Sequence, residues 1–415
     1  MARRFWVETL GCPKNQVDSD KLTGTLLADG LVPADAPEAA DLVVVNTCAF
    51  IDEARRESID TILGLAERTR DQAELVVTGC MAERYGDELA TELPEVAAVR
   101  GFGVPVHLGT TRVRPSLDLL NLPRPAPTAP WAYVKVAEGC DRACGFCAIP
   151  SFRGPQRSRP MVAIHAEVEQ LAAGGVREVV LVAQDLAAYG RDQGRGERQI
   201  VRLVEGVDRQ VDRVRLLYLY PSDLTDQLVS AIGATGVPYF DLSLQHVSRP
   251  LLRRMRRWGD GDRFLRRIDA IRSEIPEATF RSSFIVGYPG ETEADHDQLL
   301  GFLEDAQLDW VGFFAYSRED GTYAADLDGA VAPGLVDERL AELRDLQDPI
   351  TAVHRDVLIG SVAEVLVDSP GVARSHREAP EIDGVVTVPA ALPVGSLSKV
   401  RIVGAAGPDL DAEPL

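Results

Sequence analysis

No run of apolar residues in this 415-residue chain approaches the roughly 18 needed to cross a bilayer. The start, MARRFWVETL, reaches Glu8 before a secretory core could form, so the chain is expected to act in the cytoplasm, away from membranes. Positive charge is also in deficit: Lys and Arg number 44 against 64 Asp and Glu, a formal net charge of −20. That balance disfavours a long phosphate backbone as direct partner and suits a basic protein or a small molecule, although acidity alone also keeps a large protein soluble. Internal repeats and low-complexity tracts are absent. Cysteine is scarce at six residues. Six thiols in a large cytoplasmic chain are seldom disulfides, because that compartment is reducing, so ordered spacing points to metal binding or catalysis.

What is present is an ordinary globular composition, 45% hydrophobic, in a length that suggests two or three domains. Arg4–Thr9, Asp41–Asn46 and Glu74–Thr78 read as strands with amphipathic stretches between them, a small parallel α/β domain over residues 1–121. Pro123, Pro125, Pro127 and Pro130 then mark an extended linker. Strand patterns recur at Ala132–Val136, Glu178–Val182, Arg215–Leu219, Tyr239–Leu244, Thr279–Val286 and Trp310–Tyr316, which implies six β/α units and a partial (β/α)6 barrel over 131–358. A helical pattern over Leu335–Ile359 leads into short strands at Val362–Val367, Gly384–Val388 and Lys399–Val403, a small β-barrel over 359–415. The last dozen residues, rich in Asp, Pro, Ala and Gly, are expected to be loosely ordered.

The cysteines fall into two sets. Cys140, Cys144 and Cys147 sit in one loop after the first strand of the central domain, at the carboxyl edge where ligands collect in such sheets. Tight thiolate groups select zinc or iron–sulfur centres, but structural zinc wants four ligands and no fourth Cys or His lies nearby. A four-iron cubane on three cysteines keeps one iron open for chemistry. Cys12, Cys48 and Cys80 each follow a strand of the first domain by two or three residues. Parallel strands end on one edge, so these three are expected to converge on a second cluster; any one of them alone would read as a buried structural thiol. Gly11, Gly79 and Asn46 flank them, and small residues let the chain approach a bulky group. The basic run Arg249–Arg257 reads as a solvated helix face, and His246 as a packed or capping residue.

The loop Cys140-Asp-Arg-Ala-Cys144-Gly-Phe-Cys147 resembles the signature of the radical S-adenosylmethionine superfamily. In that superfamily the open iron chelates the methionyl amine and carboxylate. The resemblance implies adenine contact for Phe146 and cofactor contacts for Gln184, Asp185, Ser243, Gln245 and Gly287, which lie at strand ends. A polar residue at a strand end is otherwise a helix cap or turn. Nearly the whole chain resembles the methylthiotransferase family, which joins an amino-terminal domain with three cluster cysteines, a radical S-adenosylmethionine half-barrel and a carboxy-terminal TRAM barrel. Within it, TLGCPKNQVDSD, NTCAFIDEARRESIDTI, EGCDRACGFCAIPSFRGPQRSRP, QHVSRPLLRRMRR and EAPEIDGVV look like the RimO branch.

That likeness implies two [4Fe–4S] clusters, S-adenosylmethionine, and methylthiolation at the β-carbon of an aspartate in small-subunit ribosomal protein twelve. One cofactor molecule would yield a 5′-deoxyadenosyl radical that abstracts the hydrogen, and a second would methylate sulfur held at the auxiliary cluster before its transfer. A cellular reductant such as flavodoxin or ferredoxin would supply electrons. Two other readings stand beside this one: tRNA modification as in the MiaB branch, and a two-cluster electron relay, which would have no need of a six-unit barrel. The barrel from Gly360 onward carries Arg374, Arg377, Lys399 and Arg401 against eight acidic residues, which suits a basic protein better than RNA. Glu378, Glu381 and Asp383 are the expected docking acids.

Overall fold

The computed structural model describes residues 2–69, 73–102, 119–194 and 198–415. Its first sheet is parallel, in the order β2-β1-β3-β4-β5, from β1 (Arg4–Thr9), β2 (Val32–Pro33), β3 (Leu42–Thr47), β4 (Glu74–Gly79) and β5 (Ala98–Val99). The alternation within β3 explains the layering. Leu42 and Val44 pack on one face with Phe5, Leu22, Leu26 and Val76, while Val43 and Val45 pack on the other with Ile62, Leu65, Val77 and Leu89. A strand buried at every position has to be covered on both faces, and the crossover helices α1 (Pro13–Ala28), α2 (Asp52–Arg68) and α3 (Cys80–Glu92) supply the cover.

The central unit starts with β6 (Trp131–Lys135) and a short antiparallel pair, β7 (Ala137–Glu138) with β8 (Arg157–Ser158), which bracket the cysteine loop and helix α4 (Ile149–Arg153). Then come β9 (Glu178–Val182), β10 (Arg213–Leu216), β11 (Tyr239–Gln245), β12 (Thr279–Val286) and β13 (Trp310–Ala315). Two parallel three-stranded sheets, β10-β9-β6 and β11-β12-β13, are joined by a parallel bridge from Leu219 to Leu242, giving the six-stranded partial barrel. The third strand runs over 213–216, earlier than the Arg215–Leu219 expected. Arg213 and Arg215 disguised its start: both are buried, Arg215 against Glu178 at 2.8 Å, and charge at a strand's first residues hides its apolar period.

The helix Pro333–Asp356 leads into β14 (Val362–Ser369), β15 (Val372–Arg374), β16 (Val386–Thr387), β17 (Leu397–Ala406) and β18 (Asp409–Pro414), a closed barrel in the order β14-β15-β16-β18-β17. The expectation of a loose tail is corrected here. β18 pairs with β17 along its length, burying Leu410 and Ala412 between outward-facing Asp409, Asp411 and Glu413. Among the described residues no helix is long and apolar enough to cross a membrane.

The segment after β15 turns back into the half-barrel. Tyr133 donates its hydroxyl to the Pro380 carbonyl (3.1 Å), Trp310 its indole N–H to the Arg377 carbonyl (2.7 Å), and Ala379 packs with Tyr133, Tyr239 and Val237. Because Glu178, Arg213, Tyr239 and Trp310 open their strands, this plug occupies the amino end, opposite the cysteine loops.

Candidate active site

β1, β3 and β4 are neighbours, and Thr9 pairs with Asn46, Asn46 with Thr78, and Thr47 with Gly79, so the three strands end together. Cys12 caps α1, Cys48 directly follows β3, and Cys80 opens α3. The same edge therefore presents all three thiols. Two glycines make the approach possible. A Cβ on Gly11 would lie 2.8 Å from Cys48 Cβ and 2.9 Å from its Sγ, and one on Gly79 would lie 2.3 Å from Asn46 Oδ1; both glycines hold positive φ, +90° and +93°. Asn15 organises the floor, donating to the Leu10 and Thr47 carbonyls at 2.9 and 3.0 Å, while Ser58 accepts from the Cys48 N–H at 3.1 Å.

The thiols differ electrostatically. Burial opposes ionisation of Cys12, yet Lys14, Arg153 and the first backbone N–H groups of α1 together bring it below its ordinary value. Burial pushes Cys48 up to about 12, with Cys12 and Cys80 adding to the rise. It also raises Cys80, against the pull of Arg153. In the other set, burial raises Cys140 to about 11 and Cys147 to about 12, and Cys144 adds to both. Gly145 fixes that loop, its N–H bonding the Met255 carbonyl and its own carbonyl accepting from Ala324, each at 2.8 Å.

Among the described residues no three Cys, His, Asp or Glu side chains close around a point tightly enough for a single metal ion. A four-iron cluster is larger than one ion, and three thiols per set without a fourth ligand match its open-iron form. The pattern of orphaned groups fits a polar cofactor beside Cys140. Gln184 Oε1 and Asp185 Oδ1, at the carboxyl end of β9, and the nearby Arg257 Nε are buried without a partner. Asp185 takes a hydrogen bond from Arg142 Nε at 2.6 Å and its carboxyl is still raised by burial. Arg142 also pairs with Asp223 and stacks 3.8 Å over the Tyr220 ring.

Phe146 is half-buried against the barrel core. Ser243 accepts at its carbonyl from Arg257, and Gln245 stands at a register shift with φ 71°. Gly287 has another employment: its N–H bonds Glu291 Oε2 at 2.6 Å, and a Cβ there would lie 2.5 Å from Val336, so it makes room for the long helix. His246 is fully buried and accepts from the Ser248 N–H at 3.1 Å, a packed residue.

Two expectations require correction. Glu378 and Asp383 are not a docking surface. Glu378 is fully buried, 2.5 Å from Arg355 and bonded by Ser375 N–H (2.7 Å) and Oγ (2.6 Å). The Asp383 carboxylate, 1% exposed, accepts from Tyr239 Oη (2.5 Å) and the Ala379 N–H (2.8 Å). Only Glu381 of the three is exposed. The acids looked available because they sit among polar turn residues, but from the plug they neutralise Arg355 of the long helix and Arg281 of β12. The basic run is likewise no free face: Arg257 lies 3.4 Å from Cys144 Sγ and 4.1 Å over Tyr220, Arg256 covers Tyr323, and Arg254 bonds the Pro289 carbonyl.

Sequence reasoning missed the residues that join the two thiol sets. Lys14 lies 3.4 Å over the ring of Tyr218, just past β10, and Cys12 is near enough to that phenol to raise it further after burial has done so. Arg153 Nη2 donates to Cys80 Sγ at 3.0 Å, and its Nη1 donates to Glu138 Oε1 at 2.8 Å. Glu138 also accepts from Gln184 (2.8 Å) and Lys135 (2.6 Å), and Lys135 pairs with Asp18. The only advance signal was an arginine and a glutamate flanking the cysteine loop.

Three family models match the chain: the uncharacterized protein family UPF0004 over residues 4–101, the radical SAM superfamily over 134–303, and the TRAM domain over 359–415. The ribosomal protein uS12 methylthiotransferase RimO of Moorella thermoacetica is 45% identical, with 96% of each chain covered. The protein of the same name from Cutibacterium acnes is 41% identical, covering 98% of this chain and 97% of its own. Among solved structures, the radical S-adenosylmethionine methyltransferase TsrM of Kitasatospora setae superposes with a TM-score of 0.52 over 84% of this chain and 89% of that one; at 14% identity the likeness concerns the fold alone.

Proposed function

The chain belongs to the ribosomal protein uS12 methylthiotransferases, the RimO family, and from that membership we propose that it transfers a methylthio group to the β-carbon of an aspartate in uS12. The enzyme is a radical S-adenosylmethionine methylthiotransferase using two [4Fe–4S] clusters and S-adenosylmethionine. We assign one cluster to Cys140, Cys144 and Cys147 and the other to Cys12, Cys48 and Cys80. When bound, these groups supply radical generation from the cofactor at the first set and the sulfur at the second.

The chain's own residues prepare both places. Burial keeps Cys48, Cys80, Cys140 and Cys147 protonated, so loading must release protons, and Arg153 and Arg257 stand against Cys80 and Cys144 to accept the resulting negative charge. Gln184 and Asp185 offer unused oxygens to the amine and hydroxyl donors of a nucleoside-bearing cofactor. Arg142, held by Asp185 and Asp223 and stacked on Tyr220, keeps that wall rigid.

One observation carries the reading: two thiol triads on separate strand edges are tied to each other by the Arg153 contact with Cys80 and the Lys14 contact with Tyr218. A relay protein would need no such cofactor wall between its clusters. The substrate is expected to be a basic ribosomal protein, with flavodoxin or ferredoxin as reductant. Mass spectrometry of ribosomal proteins and tRNA from cells with and without the gene tests this. The expected result is a methylthio group missing from uS12 alone, and its loss from tRNA instead would overturn the substrate.

A further inference from the structure

Arg153 stands between the two triads with every hydrogen bond of its guanidinium directed at a buried or half-buried partner. Its side chain is 2% exposed, and the guanidinium divides its donors. Nη1 serves Glu138 Oε1 (2.8 Å) and Asp18 Oδ2 (3.3 Å); Nη2 serves Asn15 Oδ1 (2.7 Å) and Cys80 Sγ (3.0 Å). The ring of Phe102 lies 4.4 Å from it. It comes from the radical S-adenosylmethionine half of the chain, six residues after Cys147 at the end of α4, yet it bonds a cysteine of the other half.

The charges balance locally. Lys135 and Arg153 face Asp18 and Glu138, two cations and two carboxylates, all buried or nearly so. A guanidinium needed only to neutralise the carboxylates would satisfy them with one edge. Here the second edge is turned away from the acids, toward a sulfur and the amide that also receives the Cys80 thiol at 3.6 Å. The quartet thus keeps a positively charged donor aimed at sulfur without leaving a buried charge unpaired. Hydrogen bonds to cluster sulfur are one of the means by which a protein sets reduction potential, because they stabilise the more negative, reduced state.

We propose that Arg153 is a positioning residue that donates to the Cys80 thiolate, raises the reduction potential of the cluster on Cys12, Cys48 and Cys80, and links that cluster through Glu138 to Gln184 on the cofactor wall. This rests on the reading of Cys80 as a cluster ligand. One hydrogen-bonded chain, Cys80–Arg153–Glu138–Gln184, then spans the two halves of the site. Any shift of the wall at Gln184 is felt at the sulfur through three successive charge-assisted contacts.

The test uses the full-length chain with Cys140, Cys144 and Cys147 replaced by alanine, so that a single cluster is read. Arg153→Lys retains the charge that balances Asp18 and Glu138 but cannot serve both edges. With about four irons per chain still bound, its midpoint potential in an EPR-monitored titration should fall below that of the parent. A second measurement needs no change at Arg153: in the reduced parent labelled with 15N-arginine, pulsed EPR should show a nitrogen coupling that unlabelled protein shows with the other isotope's pattern. In the six-cysteine enzyme, Arg153→Lys should lower methylthio transfer about 10- to 100-fold, the usual range for a group behind a metal ligand. If the parent binds no iron, the assignment of Cys80, and with it the proposed function's second cluster, is wrong. If iron binds but no arginine nitrogen couples, or the potential is unchanged in Arg153→Lys, the cluster reading stands and Arg153 is only a strut.

Discussion

Reversing the charge of Glu378 should unfold the carboxy-terminal barrel from the half-barrel before it affects any partner. Its carboxylate is fully buried, 2.5 Å from Arg355 and bonded by two donors of Ser375. Removing one member of a buried ion pair costs about 3–5 kcal/mol because the other charge is stranded. Two Ser375 donors lose their acceptor, at about 1–3 kcal/mol for a buried donor left bare, and Glu378→Lys also sets a second cation against Arg355. A loss of about 4 kcal/mol or more is therefore expected from a total of about 5–15 kcal/mol. Glu381 is the internal control. It is exposed, and Glu381→Lys forfeits only its share of the single proton of the Tyr133 hydroxyl, whose oxygen lies equally 3.1 Å from the Pro380 carbonyl, at most about 0.5–1.5 kcal/mol. Urea denaturation followed by tryptophan fluorescence compares them, with the earliest transition taken because a chain of several units need not unfold in one step. Coincident early midpoints for Glu378→Lys and the wild type would refute the burial argument and restore Glu378 as a surface acid.

Replacing Cys140, Cys144 and Cys147 together by alanine should remove about half the iron, read by metal analysis of folded protein, whereas loss of all or none contradicts two separate sites. With Cys12, Cys48 and Cys80 replaced instead, 5′-deoxyadenosine should still form under reduction while no methylthio group is transferred; loss of both would end the division of labour. Gly11→Ala should destabilise the protein and weaken iron retention more than Gly30→Ala, since both hold positive φ but only the Gly11 Cβ meets Cys48, and left-handed strain alone is about 1–2 kcal/mol. Burial holds His246 down at about 4 against an open-chain value of 6.5, so as pH falls the unfolded chain binds the proton first. The stability present above pH 6.5 is then lost progressively toward 4, on the order of 1 kcal/mol of it by pH 5.5. His246→Asn should show a smaller fall in urea midpoint between pH 7.5 and 5.5, and an unchanged fall would count against it.

The architecture was legible wherever the burial pattern was simple. β1, β9 and β12 span the residues expected of them, Arg4–Thr9, Glu178–Val182 and Thr279–Val286, because each carries enough apolar residues between its polar ends to be recognised. Legibility failed where charge enters the core. Arg213 begins a strand that the sequence reading starts only at Arg215, and Asp409, Asp411 and Glu413 made β18 read as a loose tail although Leu410 and Ala412 keep strict alternation between them. A single sequence shows an acid's charge and not its partner, so Glu378 and Glu381 look alike until Arg355 and Tyr133 are placed beside them.

The thiols could be read in advance for a related reason. Cys12, Cys48 and Cys80 gain meaning from position after strands, and parallel topology turns sequence position into shared space. Nothing comparable announces Arg153. It lies in a five-residue helix, and its partners Asp18, Asn15 and Cys80 stand 135, 138 and 73 residues away. Its role is created by the packing of one half of the chain on the other, which no local period encodes. The same holds for Lys14 over Tyr218. What the sequence conveys well is therefore the set of thiols that share a strand edge; what it conceals is the set of charges packed against them, since a cysteine is placed by its own strand and its electrostatic partner by the fold as a whole.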